Sequence, residues 1–310
     1  AIVALYNLQP ACRNQIFSQK QETEFRQTVA NVNPEKDLYG DLGAKTGASI
    51  EEVEKEYKET IASLKNATST EDKEKLKKAE YARTVLTNKD NKILYDQAKI
   101  EPTLKYRKIG STFYADLRQI APTSLFELVK AIDNASTTKN IDTLIVDFRG
   151  NVGGALDFLP AFFGLFVGKD QFVFDLFHQG ERKPERTTQP KYPELDRFKE
   201  IAILTDNMTQ STAELTAATF KKFHMAKVVG LTTRGWGTIE NTYPLETQID
   251  PNEKHVLLLV NSITIRDDGE PIEGRGVNPD INTAEAGWQK KLPNHFKSQS
   301  LIEAIKTLIK

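Results

Sequence analysis

Residues 207–215 have the sequence NMTQSTAEL and stand between an apolar run and a helical pattern. Residues 201–204 predict a short buried strand, and residues 212–223 predict a helix. A serine at such a strand-to-helix turn holds its hydroxyl outward, and the neighbouring backbone N–H groups point at incoming negative charge. Ser211 therefore stands where a nucleophilic serine belongs. Taken alone, the stretch is explained more simply by an N-cap serine.

Two further segments shift the balance towards a nucleophile. Residues 143–147 predict a buried strand that leads into FRGNVGG at 148–154, and residues 269–281 have the sequence GEPIEGRGVNPDI. In this order, with Ser211 between them, the segments resemble the signatures of the C-terminal processing (tail-specific) serine proteases. Those signatures are a strand ending in Asp-Leu-Arg-x-Asn-x-Gly-Gly, a Ser-Ala-x-Glu nucleophile turn, and a Gly-x-Gly-Val/Ile-x-Pro-Asp-Ile tail.

The resemblance extends from about residue 106 to about residue 285. It implies an α/β protease-like domain with the crotonase/ClpP-like β-α core of that family, and it makes Ser211 the nucleophile. It also implies an oxyanion hole whose backbone N–H donors belong to Thr212 and to a glycine of the pair Gly153 and Gly154. Glycine lets a backbone approach a ligand closely. A helix-entry turn that needs small residues explains the two glycines equally well.

The sequence departs from the family at the general base. The family pairs its serine with a lysine 25 residues further on, in a Phe-Gly-Lys-Gly turn, and here that position is Trp236 within RGWG at 234–237. The glutamine that usually orients the lysine is replaced by Glu240. A serine hydroxyl needs a neighbouring base to become a good nucleophile, and an indole N–H only donates. Arg234 stays protonated and cannot act as that base.

Six other residues are candidates for a substitute base: His178, His224, His255, Lys221, Lys222 and Glu240. His224, Lys221 and Lys222 lie near the far end of the predicted Ser211 helix, and His224 is roughly 20 Å along it at about 1.5 Å per residue. His178 opens a proline-rich segment that could fold over the site. Glu240 follows the glycine turn, and a carboxylate is a weak base for serine unless burial raises its pKa.

Residues 36–98 predict a separate, small all-α domain. Ser49 and Glu52 form a capping box for a helix that ends near Leu64, a second helix covers 71–86, and a short third one includes 93–95. The unit resembles a J-domain, the helical hairpin with which co-chaperones stimulate Hsp70. The resemblance is carried by Asp37, Leu38, Tyr39, Leu42, Gly43, Ala48, Ser49, Tyr57, Leu94, Tyr95 and Asp96. Lys65-Asn66-Ala67 stands where His-Pro-Asp is needed, so we expect no Hsp70 partner and a spacer or docking role.

The remaining pattern predicts four segments: an N-terminal helical segment (1–35), the J-like unit (36–98), the protease-like domain (104–285) and a C-terminal helical segment (286–310). A helix is predicted at 13–31, and its weak apolar stripe suggests a partner subunit, hence a possible homo-oligomer. Residues 178–198 predict a loop or lid. In the protease-like domain, predicted strands alternate with predicted helices, which indicates an α/β fold. Strands are predicted at 108–114, 143–147, 171–177, 201–205, 226–230, 240–245, 255–260 and 262–265, and helices at 124–135 and 155–166.

Composition excludes several classes of function. A formal net charge of −1 gives no bulk attraction to nucleic acid, and one cysteine, Cys12, rules out an intrachain disulfide framework. No cofactor or metal is expected. The apolar start at 1–6 fits the remainder of a signal or anchor segment, or equally a short buried element. The family resemblance favours an extracytoplasmic location, whereas the J-like unit favours the compartments where Hsp70 works.

Three hypotheses for function follow. The first is a non-catalytic relative of the processing proteases that binds an unstructured polypeptide or a protein C-terminus. The second is an active serine-type endopeptidase that uses a non-standard base. The third is an assembly scaffold in which both parts of the chain serve as interaction surfaces.

Overall fold

A computed structural model describes residues 13–64, 69–136 and 140–309. The predictions for Cys12, for residues 1–6 and for Lys65-Asn66-Ala67 lie outside these ranges. The chain divides into two compact units: Gln27–Pro102 forms one, and the remainder of the chain forms the other.

The smaller unit is helical, as the pattern predicts. Its helices are α2 (Ile50–Leu64), α3 (Thr70–Leu86) and α4 (Lys89–Ala98), after a 3-10 turn at Gly40–Leu42. Ser49 and Glu52 form the expected capping box, with the Ser49 N–H donating to Glu52 Oε2 at 2.7 Å. The interior is closed by Tyr95, whose hydroxyl donates to the Lys36 carbonyl at 2.6 Å and accepts from the Leu38 N–H. The likeness to a J-domain stays a prediction.

In the described residues, the larger unit contains eleven strands together with the helices that lie outside the smaller unit. They are β1 (Gln15–Ser18), α1 (Gln19–Val29), β2 (Leu104–Ile109), β3 (Thr112–Leu117), α5 (Ser124–Ser136), β4 (Thr143–Asp147), α6 (Phe158–Val167), β5 (Phe172–His178), β6 (Glu181–Arg186), β7 (Glu200–Thr205), α7 (Thr212–Lys222), β8 (Lys227–Gly230), β9 (Thr238–Pro244), β10 (His255–Thr264), β11 (Ile281–Asn282) and α8 (Gln299–Leu308). Short 3-10 helices lie at Pro193–Arg197 and Trp288–Asn294. Helix α1 crosses the boundary between the two units.

The first of two sheets has the order β11-β8-β7-β4-β3-β2 and is parallel except for β2, which pairs antiparallel with β3. Successive residues of its strands belong to different hydrophobic clusters. Leu144 and Val146 of β4 pack in one cluster, while Ile145 packs in another with Leu301 and Ile305 of α8. The sheet is therefore buried on both faces, which is why β4 and β7 have continuous apolar sequences rather than alternating ones.

The second sheet has the order β1-β10-β5-β6, and β9 pairs with the other side of β10. It corrects several predictions. The predicted helix at 13–31 begins as strand β1, because Gln15–Ser18 pairs with the edge of β10. The loop predicted at 178–198 contains strand β6, which tolerates Pro184 because it is an edge strand. The two strands predicted at 255–265 are one strand, with a bulge between Val260 and Ser262.

In the first sheet, the single strand predicted at 108–114 is a hairpin of β2 and β3 that turns at Gly110. The strand β11 was not predicted, because its two residues carry no periodic signal.

A cluster of phenylalanines fixes the helix that follows the serine turn. The Phe220 ring of α7 lies 5.2 Å from the rings of Phe162 and Phe163 and 5.3 Å from that of Phe166, all on α6. Aromatic pairs at such centroid distances add to the stability gained from burial alone. These rings anchor the C-terminal half of α7, the helix that begins directly after Ser211, to the helix that follows the Gly153–Gly154 loop.

Candidate active site

Ser211 lies between β7 and α7, as the sequence predicts, and its backbone is strained. Its φ of 53° and ψ of −126° are unusual for a residue with a side chain, a feature that is common where a turn presents a functional group. Backbone hydrogen bonds to two neighbouring loops hold the turn in place. The Gln210 N–H donates to the Asn151 carbonyl at 2.8 Å, and the Arg234 N–H donates to the Thr209 carbonyl at 3.0 Å. The loops after β4, β7 and β8 therefore meet at Ser211.

The two glycines of the predicted oxyanion hole differ in what their N–H groups do. The Gly153 N–H donates to Asn151 Oδ1 at 2.7 Å, so it is already used. Within residues 13–64, 69–136 and 140–309, the N–H groups of Gly154 and Thr212 have no hydrogen-bond acceptor. The Thr212 hydroxyl also donates to the Gly154 carbonyl at 3.0 Å, which ties the two residues together. The geometry favours Gly154 and Thr212 as the pair of free donors.

Gly153 lies too close to the serine turn to carry a side chain. A Cβ atom there would lie 2.6 Å from Ser211 Cβ and 2.9 Å from the Gln210 carbonyl oxygen, and φ is +85°. We expect Gly153→Ala to lower the free energy of unfolding by about 2–5 kcal/mol, the sum of a left-handed backbone penalty and overpacking. Urea unfolding measures this loss.

Gly180 provides the matched control for that substitution. Its φ is +88°, yet no atom lies within 4 Å of an added Cβ. Gly180→Ala should therefore lower the free energy of unfolding only by the left-handed backbone penalty, about 1–2 kcal/mol. Equal losses for the two variants would contradict the close approach of Gly153 to Ser211.

The carboxylate of Glu214 links the serine turn to the turn that contains Trp236. It is fully buried and accepts the N–H groups of Ser211 at 2.9 Å, Gly235 at 2.7 Å and Trp236 at 2.8 Å, together with the hydroxyl of Thr233. Burial raises the pKa of Glu214, although these four hydrogen bonds act in the opposite direction. The spacing between residues 211 and 236 is therefore fixed by one buried side chain.

Trp236 fills the position where the family has its lysine. Its indole Nε1 donates to Glu240 Oε1 at 3.1 Å, and the Arg13 guanidinium lies 3.6 Å from the centre of its ring. Arg13 also donates to Glu273 Oε1 at 3.0 and 3.2 Å, and Glu273 Oε2 accepts the Gly237 N–H at 2.8 Å. The position holds a pinned aromatic ring, and neither indole nor guanidinium can accept a proton from a serine.

The substitute bases considered from the sequence are engaged elsewhere. Glu240 accepts from Trp236 and from the Thr238 hydroxyl, and burial raises the pKa of Glu240 against the lowering effect of those two bonds and of the Arg13 charge. His178 Nδ1 is 2.6 Å from the Asn261 carbonyl oxygen, on the β5–β6 hairpin.

The other four lie away from the serine turn. Lys221 donates to the Asn278 carbonyl, Lys222 lies over the Phe172 ring, and His255 is beside Glu253. His224 follows the far end of α7, where its backbone N–H donates to the Lys221 carbonyl at 3.0 Å. Within the part of the chain that the structure describes, no hydrogen bond joins Ser211 to a histidine or a lysine.

Two residues at this site, Glu273 and Arg13, were not predicted. Glu273 lies in the glycine-rich tail, where an acidic residue could have been suspected of a role, but Arg13 is separated from Trp236 by most of the chain. In the described residues, no group of three or more metal-ligating side chains is close enough to hold an ion. Likewise, no helix of the described ranges has the length and apolarity that a membrane span requires.

Comparison with known proteins supports one family. The family profile described as "Peptidase family S41" matches residues 112–283, more than half of the chain. A "Probable CtpA-like serine protease" from Staphylococcus epidermidis is 26% identical over 201 residues, which cover 65% of this chain and 39% of that protein. "Carboxy-terminal processing protease CtpA" from Bacillus subtilis is 26% identical over 216 residues, which cover 70% of this chain and 44% of that protein.

A solved structure shows the same fold. The photosystem II D1 C-terminal processing protease superimposes with a TM-score of 0.51 at 15% identity, covering 59% of this chain and 48% of that one. The chain spans less than half the length of the two curated relatives described above. The matching profile and the serine turn, glycine loop and glycine-rich tail found in family order lead to one conclusion: the chain belongs to Peptidase family S41, alongside the C-terminal processing proteases.

Proposed function

We propose that this protein is a non-catalytic member of its family that binds an extended polypeptide, or the C-terminus of a protein, at the Ser211 turn without hydrolysing it. One observation carries the proposal. The nucleophile turn and its free N–H groups at Gly154 and Thr212 are intact, while the base position is occupied by Trp236. A carboxylate or carbonyl can still be bound where no proton can be removed from the serine.

The free N–H groups of Gly154 and Thr212 explain how the site can bind a ligand without catalysing its hydrolysis. Backbone N–H groups at a helix N-terminus attract negative charge whether or not a reaction follows. The terminal carboxylate of a chain carries a full negative charge, which a backbone carbonyl does not. The site should therefore distinguish a free C-terminus from an amidated one.

Binding of a short unstructured peptide in two forms tests the proposal. The form with a free carboxylate should bind at least tenfold more tightly than the same peptide with a C-terminal amide, measured by calorimetry. Intact mass after a day of incubation should show the peptide uncut. Ser211→Ala should leave the affinity unchanged, because the hydroxyl is not one of the proposed donors. Equal affinity for both forms, or a cleaved peptide, would refute the proposal.

The alternative is an active peptidase whose base is Glu240, since burial raises the pKa of that carboxyl. It requires Glu240 to release the indole and the Thr238 hydroxyl and to turn to Ser211. Peptide cleavage that is lost in both Ser211→Ala and Glu240→Gln would establish it.

The helical residues 36–98 act, in this proposal, as a spacer or docking platform and not as an Hsp70 co-chaperone. Their likeness to a J-domain belongs to the same proposal. The crotonase/ClpP-like description of the core is also part of this proposal.

The family resemblance supports an extracytoplasmic location as a further part of the proposal. We also propose that the chain self-associates through α1, because this helix buries no residue of its own.

A further inference from the structure

The N-terminal arm, which we define as residues 13–18, is attached to the second sheet mostly through its backbone. Strand β1 pairs antiparallel with β10 from Gln15↔Leu258 to Ser18↔His255. The Val260 N–H donates to Asn14 Oδ1 at 2.8 Å, just before the bulge in β10. Main-chain pairing of this kind is how an extended peptide from outside adds to a sheet edge.

The arm adds no side chain to the hydrophobic interior. None of its residues belongs to the three clusters of buried apolar side chains found in the described chain, and all four residues of β1 are half-buried. Helix α1, which follows directly, buries no residue either. Phe17 contacts the Phe25 ring at 5.6 Å, within this same segment. Asn14, which is polar, is the one residue of the arm that is buried. Since apolar burial is the dominant favourable term in folding, we expect the arm to be held less firmly than strands whose apolar side chains are buried.

One side chain of the arm enters a formed pocket. The arginine pocket consists of the Trp236 ring, Glu240 and Glu273, and Arg13 occupies it. The two carboxylates are held in place by other residues: the Gly237 N–H donates to Glu273, and the indole donates to Glu240. Without Arg13, the two carboxylates would lose the cation that stacks on the Trp236 ring and donates to Glu273.

The pocket is suited to a guanidinium in particular. A planar guanidinium can stack on the indole while two of its N–H groups reach one carboxylate oxygen, as Arg13 does with Glu273. A lysine ammonium has neither the plane to stack nor the fork of donors. The edge of β10 supplies affinity through the backbone, and the pocket supplies selectivity for one residue.

We propose that the N-terminal arm is a displaceable self-ligand, and that the surface beneath it is a second binding site for an extended peptide that carries an arginine. The peptide pairs with the β10 edge at His255–Leu258 and places its guanidinium on Trp236 between Glu240 and Glu273. In this site the Trp236 ring, which stands at the family's lysine position, serves as the stacking surface for the guanidinium. It depends on the proposed function only in that the ligand is again an extended polypeptide.

Fluorescence anisotropy with the labelled peptide RNQIFS, the sequence of residues 13–18, tests the proposal on the full chain. In the unmodified chain the attached arm competes at an effective concentration in the millimolar range, so the peptide binds weakly. Arg13→Ala weakens the attached arm, and the peptide should then bind at least tenfold more tightly. Arg13→Lys, which keeps the charge, should give an intermediate gain.

Two controls identify the pocket as the cause. The peptide KNQIFS should bind Arg13→Ala at least tenfold more weakly than RNQIFS. Adding Glu273→Gln to Arg13→Ala should weaken the binding of RNQIFS at least tenfold. The amide still accepts from the Gly237 N–H, but it lacks the negative charge of the carboxylate. A thermal melt of each variant confirms that the chain is folded. If Arg13→Ala or Arg13→Lys binds RNQIFS no better than the unmodified chain does, or if the lysine peptide binds equally well, the proposal is wrong.

The result also separates the two sites. Failure of RNQIFS to bind Arg13→Ala, with a free C-terminal peptide still preferred over its amide, overturns the arginine site alone. Binding of an RNQIFS peptide amidated at its C-terminus, in a chain that shows no preference for free carboxylates, supports the arginine site and overturns only the proposed function.

Discussion

The double variant Trp236→Lys/Glu240→Gln should hydrolyse an unstructured polypeptide about 10²-fold or more faster than the unmodified chain, since a positioned base contributes about 10²–10⁴ in rate. The lysine would stand where Glu214 already holds the turn, through the Trp236 N–H at 2.8 Å. Release of fluorescence from a labelled, unfolded protein substrate measures the rate. The triple variant with Ser211→Ala should return it to background.

The second substitution is needed because of charge. In the single variant Trp236→Lys, the Glu240 carboxylate would face the new ammonium and raise its pKa, so the lysine would keep its proton and serve poorly as a base. Glutamine removes that effect, and the Arg13 guanidinium above the same position favours the neutral amine. The double variant should therefore exceed the single one. A double variant that folds and shows no hydrolysis would mean that the site lacks more than its base.

The second large effect is expected at Glu214. Glu214→Ala leaves three backbone N–H groups and the Thr233 hydroxyl without their acceptor, and each unsatisfied buried group costs about 1–3 kcal/mol. We expect a loss of about 4 kcal/mol or more in the free energy of unfolding, reduced by any water that enters the space. Denaturant unfolding followed by tryptophan fluorescence measures it.

Glu127 offers the matched control. Its carboxylate also accepts two backbone N–H groups, those of Thr103 at 2.8 Å and Leu104 at 3.0 Å, but the residue is only half-buried. Water can replace it there, so Glu127→Ala should cost clearly less than Glu214→Ala. Comparable losses would show that burial is not what makes Glu214 important.

The sequence was a good guide where the signal is local. Strand β4, the strand before Ser211 and helix α7 are found within a residue or two of the predicted positions, because each depends on neighbours along the chain. The Ser49 capping box was found for the same reason. The replacement of the family lysine by Trp236 needed only a count of 25 residues from Ser211, with the glycines at 235 and 237 aligned on both sides.

The parts that were not predicted depend on distant partners. Gln15–Ser18 has no strand pattern of its own and becomes a strand because the edge of β10 offers partners more than 200 residues away. The position of Arg13 over Trp236 follows from that pairing, so no local pattern could show it. His178 was considered as a base because a polar, proline-containing segment suggested a loop, whereas the β5–β6 hairpin holds the histidine against Asn261.

The reactivity of the Ser211 hydroxyl in the unmodified chain decides whether the site has lost its base. The chain is incubated with a fluorophosphonate, and the modified fraction is read from the intact mass, with Ser211→Ala as the blank. Without a base beside the hydroxyl, labelling of the unmodified chain should not exceed that of the blank, while the Trp236→Lys/Glu240→Gln variant gains one adduct on Ser211. Rapid, stoichiometric modification of Ser211 in the unmodified chain would contradict the account.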